Sequence, residues 1–184
     1  FEYPHVDGTS CLNCGLCQKV CAFQSGPFYE AVPGTSLAYA AKHRSDRVRM
    51  QSSSGGMFTA LADHFLKGNG VIYGAAYDER IVCRHVRATT KEEYAPCMGS
   101  KYVQSDVCGV FQLVKQDLAS GTEVLFSGTP CQVAGLNAFL GEGSNTKILL
   151  TVDFICHGVP SPRLFEDYVR YHEEKRKKRI VEYY

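Results

Sequence analysis

At 184 residues, with 45% hydrophobic and 21% charged side chains, the chain is ordinary globular material, enough for one cored domain of about 150 residues plus a small appendage. Its 20 basic and 19 acidic residues leave a net charge of +1, so no global field recruits nucleic acid or a membrane surface. No apolar run is long enough to span a bilayer, no basic-then-apolar leader is read, and nine cysteines, an odd number, point to a reducing compartment, the cytoplasm.

Phe1-Glu2-Tyr3-Pro4 reads as extended, and Val6-Asp7 leads into a cysteine loop. Cys11, Cys14, Cys17 and Cys21 stand at the spacing C-x2-C-x2-C-x3-C, the ligand run of a bacterial-type iron–sulfur cluster. Three thiolates come from a tight loop in which Gly15 lets backbone amides crowd toward the inorganic sulfurs, and the fourth follows one helical turn later. Thiolates are soft ligands and suit iron. The alternatives are a zinc knuckle, whose ligands come as two separated pairs, and a disulfide staple, which belongs to a secreted chain. In two-cluster ferredoxins the fourth cysteine is followed by proline and binds the other cluster, whereas Cys21 here precedes Ala22.

Pro27, Pro33 and Gly34 mark a linker. Ser52-Ser53-Ser54-Gly55-Gly56 opens a helix whose apolar residues Met57, Phe58, Leu61, Phe65 and Leu66 recur at helical spacing, stopping at Gly68-Asn69-Gly70. Val71 to Tyr77 reads as a buried strand, Asp78-Glu79 as a turn and Ile81 to Val86 as a second strand, together a hairpin. Thr90-Lys91-Glu92-Glu93 has the pattern of a capping box opening a short helix. Residues 106 to 119 carry Val107, Val110, Phe111, Val114 and Leu118 on one helical face, closed by Gly121. Glu123 to Ser127 is a strand, and Gly128-Thr129-Pro130 turns it into a helix that ends at Gly141, since threonine caps well and proline suits the first helical position. Lys147 to Ile155 is a further strand, and Ser161-Pro162 opens the last amphipathic helix. Strands separated by helices of about a dozen residues predict an α/β body with a parallel or mixed sheet and crossover helices.

Ligands in such folds gather beyond the carboxyl ends of strands, where helices begin. Three junctions there carry chemistry. Ser52 to Gly56 offers amides and hydroxyls to an anion such as a phosphate, or is simply a serine-rich helix cap. In Ser127-Gly128-Thr129-Pro130-Cys131-Gln132, Cys131 occupies the first turn of a helix whose dipole favours its thiolate; it serves as ligand, redox thiol or small buried residue. Asp153-Phe154-Ile155-Cys156-His157 delivers an acid, a thiol and an imidazole at a strand end, and strand alternation would put Asp153 and His157 on one side. Such a Cys-His pair ligates a metal, relays protons or fills a polar notch. Pairing of Cys131 or Cys156 with His157 would also suit a cysteine hydrolase, but no local signature of one is present. Lys101, in Gly99-Ser100-Lys101-Tyr102, is a further candidate anion contact, and Cys97 has no assignable role.

In this order, Ser53-Ser54-Gly55-Gly56 with Thr59, Val71 to Ala75, Gly99 to Ser105, Phe126 to Gln132 and Asp153 to Pro162 resemble the coenzyme F420 hydrogenase/dehydrogenase beta subunit family, over about residues 36 to 170. The resemblance implies a small ferredoxin-type cluster-binding segment, residues 1–30, the second half of a two-cluster module. A beta subunit-like α/β flavoprotein domain follows over residues 31–184, expected to be C-terminally truncated because the resemblance implies a further C-terminal part beyond Tyr184, and the opening at Phe1 and the stop after the basic stretch Lys175 to Arg179 read as a piece of a longer chain. It implies an oxidoreductase subunit that passes electrons between 4Fe-4S clusters and FAD, with coenzyme F420 or another soluble carrier and other oxidoreductase subunits as partners. Its implied FAD site comprises Ser53, Ser54, Gly55, Gly56, Thr59, Ser100, Lys101 and Tyr102, with Gly128, Thr129, Pro130 and Gln132 as a flavin-proximal turn. Cys131, Cys156 and His157 would lie between flavin and cluster or serve a further cluster. The competing reading is a non-enzymatic iron–sulfur electron carrier or interaction module without its own flavin.

Overall fold

The computed structural model describes residues 5–19, 21, 37–141, 143–181 and 183. The expected extended start at Phe1 to Pro4 and the linker at Pro27, Pro33 and Gly34 lie outside those residues. Helices form at Leu16–Lys19 (α1), Asp46–Met50 (α2), Met57–Lys67 (α3), Lys91–Tyr94 (α4), Val110–Ala119 (α5), Pro130–Leu140 (α6) and Pro162–Arg176 (α7). Strands Val71–Tyr77 (β1), Cys83–Ala88 (β2), Val124–Gly128 (β3) and Leu149–Asp153 (β4) make one sheet in the order β2-β1-β3-β4. β1 and β2 pair antiparallel as a hairpin, while β1 with β3 and β3 with β4 pair parallel, so the sheet is mixed.

Alternation along the strands sends successive side chains to opposite faces, and each face buries its own helices. Val71 and Tyr73 of β1 with Val124 and Phe126 of β3 meet Val110, Val114 and Leu118 of α5 and Leu136 and Leu140 of α6. Ile72 and Leu125 face the other way, onto Ala62, Phe58, Leu61 and Phe65 of α3 and Tyr94 of α4. The result is a three-layer α/β arrangement. Fully burying each such large side chain contributes about 1.5–3 kcal/mol. A third cluster sits past the carboxyl end of β1, where Phe165 and Val169 of α7 pack on Tyr77, Ile81, Cys83 and Val103.

Local chemistry explains where the elements shift from expectation. β2 starts at Cys83 rather than Ile81 because the Asp78 carboxylate accepts from the amides of Arg80 (2.8 Å) and Val82 (3.0 Å), prolonging the turn and putting Ile81 at φ 61. α5 begins only at Val110: Asp106 exchanges backbone hydrogen bonds with Cys83 and His85 beside β2 (3.0 and 2.9 Å), and Gly109 turns left-handed at φ 76. β4 ends at Asp153, opposite Gly128, because β3 stops there and offers no further partner. The Asp153 to His157 alternation expected from the sequence is therefore interrupted. Among the described residues, no helix is long and apolar enough to cross a membrane.

Candidate functional site

The cysteine loop runs through two left-handed residues ahead of a short helix. Asn13 (φ 52) and Gly15 (φ 71) are left-handed, α1 starts at Leu16, and the Asn13 amide donates to Cys11 Sγ at 3.4 Å. Cys11, Cys14, Cys17 and Cys21 are all free thiols, the first three exposed. This donor set suits iron–sulfur or zinc chemistry, although among the described residues no three Cys, His, Asp or Glu side chains converge closely enough to hold a metal ion.

At the start of α3 the serines do not act as its cap. Gly56, at φ 74, occupies the N-cap position without a side-chain hydrogen bond, so the first amides of this 11-residue helix have no capping group. Ser52 instead donates to the Val48 carbonyl (2.8 Å), and Ser53 Oγ accepts from the Ser100 amide at 2.6 Å. The serine-glycine stretch and the Gly99-Ser100-Lys101-Tyr102 segment, far apart in sequence, therefore touch. A side chain at Gly55 would place Cβ 2.9 Å from the Ala41 carbonyl, which explains the glycine. Thr59 is fully buried, and its Oγ1 has no hydrogen-bond partner. Tyr102 is 68% exposed, whereas the Lys101 amine turns inward onto the carbonyls of Gly99 (2.8 Å) and Pro96. Burial lowers the Lys101 pKa, partly offset by the Cys97 and Cys83 thiols, which burial pushes up to about 11.

The turn after β3 carries the second group of candidate residues. Thr129 caps α6 with Pro130 in its first turn, and Thr129 Oγ1 lies 3.1 Å from the exposed Cys131 Sγ. Gly128 is tightly placed here, since a Cβ would stand 3.0 Å from both Gln132 Oε1 and Phe126 Cε1. Pro130, Asp153, Phe154, Ile155 and Cys156 line an open cleft of about 460 Å³ beyond the ends of β3 and β4. Cys156 Sγ accepts from the Gly158 amide at 3.4 Å, as Cys11 Sγ does from Asn13. His157 is exposed and does not line the cleft.

Gln132 links this turn to groups that motif spacing does not reveal. Its Oε1 accepts from the Thr129 amide (3.0 Å) and its Nε2 donates to Ser105 Oγ (2.9 Å). Ser105 Oγ lies 2.9 Å from His85 Nδ1, and His85 Nε2 lies 2.9 Å from the Ser127 carbonyl. His85 is 7% exposed and stacks on Phe126, with ring centroids 5.2 Å apart. Burial lowers its pKa, against a smaller opposing effect of the Ser127 carbonyl. The one sequence signal for His85 is a polar residue at an inward-facing position of a strand.

Residues 38–112 match the amino-terminal model of the coenzyme F420 hydrogenase/dehydrogenase beta subunit family, and residues 121–183 match the carboxyl-terminal model of the same family. The chain belongs to this family. Its fold is similar to that of a chain from the F420-reducing NiFe hydrogenase complex of Methanosarcina barkeri, solved as a xenon derivative, with a TM-score of 0.57 at 20% identity. That similarity covers 74% of this chain and 50% of the other, so the chain spans about half the length of the relative. No curated protein matches it. In terms of this family, the two matched regions meet at the Ser105–Gln132 contact, one residue from each.

Proposed function

We propose that this chain is part of an electron-transferring oxidoreductase subunit in which residues 1–30 form a ferredoxin-type segment and residues 31–184 a flavoprotein domain. Cys11, Cys14, Cys17 and Cys21 hold iron of a 4Fe-4S cluster. The uncapped start of α3, with Ser53, Ser54, Gly55, Gly56 and Thr59, binds the phosphate end of FAD, and Ser100, Lys101 and Tyr102 bound the same pocket. When present, the clusters supply single electrons and flavin supplies the exchange between single electrons and pairs. Gly128, Thr129, Pro130 and Gln132 shape the turn beside the flavin, and Cys131, Cys156 and His157 are the side chains on the route between the two cofactors. The electron partner is coenzyme F420 or another soluble carrier, and the subunit works alongside other oxidoreductase subunits.

The observation that carries this reading is convergence. α3 runs back from the carboxyl end of β1, and α6 starts at the carboxyl end of β3, so both helix starts lie at one end of the sheet. Ser53 meets Ser100 there, and Ser105 meets Gln132. Anions and cofactors bind at that end of α/β sheets.

Anaerobic purification of the full-length protein, with iron, sulfide and flavin quantified together, tests the proposal. The expected preparation contains both flavin and acid-labile sulfide, and Cys14→Ser lowers iron content, the broad visible absorbance and redox turnover. Iron without flavin would favour the electron-carrier module. Stoichiometric zinc in place of iron would overturn the scheme.

A further inference from the structure

Two backbone groups flanking Gly128, the Ser127 carbonyl and the Thr129 amide, are joined through three side chains from outside the turn's backbone: His85 of β2, Ser105 of the segment beside it and Gln132 of α6. We infer that His85 is a positioning residue for the Gly128-Thr129-Pro130-Cys131-Gln132 turn, acting through Ser105 and Gln132.

The direction of three of the four hydrogen bonds in this ring follows from its two ends. The Ser127 carbonyl can only accept, so His85 carries its proton on Nε2. The Thr129 amide can only donate, so Gln132 turns its oxygen to Thr129 and its NH2 to Ser105. Ser105 Oγ then accepts from Gln132, and with a neutral His85 ring its hydroxyl proton points to Nδ1. Burial of the ring supports the neutral state, and no ionised side chain contributes to the shift. The neighbouring charges, Arg84 and Asp106, pair with each other at 2.9 Å. The consequence is a turn whose geometry depends on a residue two strands away in the sheet. Cys131 follows two residues after Thr129, so fixing Thr129 fixes where the thiol sits.

The functional half of this inference depends on the turn being flavin-proximal; the structural half does not. Both are read on the full-length protein by amide exchange at Thr129, with Leu125 in mid-β3 as an internal control, and by flavin affinity. His85→Phe keeps the ring and its stacking on Phe126 but removes both nitrogens. It is expected to speed Thr129 exchange and weaken flavin affinity by about tenfold each, with Leu125 unchanged. His85→Gln, which retains a donor and an acceptor, is expected to restore much of both. Ser105→Ala breaks the ring while leaving His85 in place and should reproduce the Thr129 effect even if His85→Phe fails to fold. Unchanged Thr129 exchange in Ser105→Ala, or no recovery in His85→Gln, overturns the positioning role. Faster Thr129 exchange with unaltered flavin affinity upholds it and instead removes the turn from the flavin site.

Discussion

Gly74 lies mid-strand in β1, where a Cβ would stand 3.1 Å from Cys97 Cβ, 3.2 Å from its Sγ and 3.3 Å from Phe58 Cζ. Cys97 is held by the 3-10 turn Ala95–Cys97, so it cannot retreat as a flexible side-chain tip would. Gly74→Ala is expected to destabilise the fold by about 1–3 kcal/mol, read as a shift in the denaturant midpoint. The Val71 to Ala75 motif was legible as a buried strand, but the function of its glycine was not, because the contact comes from a residue in another turn. Lys101 shows the same limit. A lysine in a glycine-serine segment suggests an anion contact, yet only the folded backbone shows that its amine bonds to Pro96 and Gly99. In the Cys11 to Cys21 segment the left-handed backbone falls at Asn13 and Gly15, residue types that adopt it readily. His85 was illegible because its partners, Ser105 and Ser127, are brought to it by pairing of distant segments.

Among the elements, β1, β2 and α5 are joined by one polar cluster. Arg87 donates through Nε (2.9 Å) and Nη2 (2.8 Å) to both oxygens of Asp117, which also accepts from Tyr73 at 2.5 Å. Burial pushes the Asp117 carboxyl up, but the hydrogen bonds from Arg87 and Tyr73 outweigh it and hold the pKa below the ordinary range. Tyr73 is fully buried, so Asp117→Ala leaves its hydroxyl without its acceptor and is expected to cost about 1–3 kcal/mol in equilibrium unfolding. Asp117→Asn keeps an acceptor and should cost less. Hydrophobic patterning was enough to place α3, β1, β3 and α7, whereas α6 was placed by its Thr129-Pro130 start and Gly141 end. It failed at boundaries fixed by side-chain hydrogen bonds, such as the Asp78 turn ahead of β2. It also missed α2, a helix of five residues with no buried face.

For the whole molecule, the titration of buried groups fixes the direction of acid sensitivity. His85 is held below its ordinary value of 6.5, so the unfolded chain takes up a proton before the native one does, and stability falls as pH drops below that value until the native ring is protonated too. Asp117 acts in a more acidic range: its contribution is present above the ordinary 3.8 and is lost as pH falls through the lower native value. Thermal melts across pH are expected to show a decline beginning near pH 6.5, followed by a second in strong acid. His85→Phe should abolish the first decline and leave the second. The α/β body with parallel pairing and crossover helices followed from alternating strands and helices, because parallel pairing demands crossovers. The docking place of α7 did not, because an amphipathic stripe does not say which apolar surface it will meet.

That docking place has a consequence for the chain between β4 and α7. β4 is at one border of the sheet, whereas Phe165 of α7 stacks on Tyr77 near the opposite border, at a centroid distance of 5.8 Å. Residues 154–161 therefore travel the width of the sheet past its carboxyl end, touching down where the Gln104 amide meets the Pro160 carbonyl at 3.3 Å. Two strand spacings amount to about 10 Å, and eight residues can reach about 26 Å. The span carries slack, and Gly158 at φ 110 supplies a joint within it. Chain length alone therefore does not hold residues 154–161 taut between β4 and α7, and the Gln104–Pro160 contact is what sets their path.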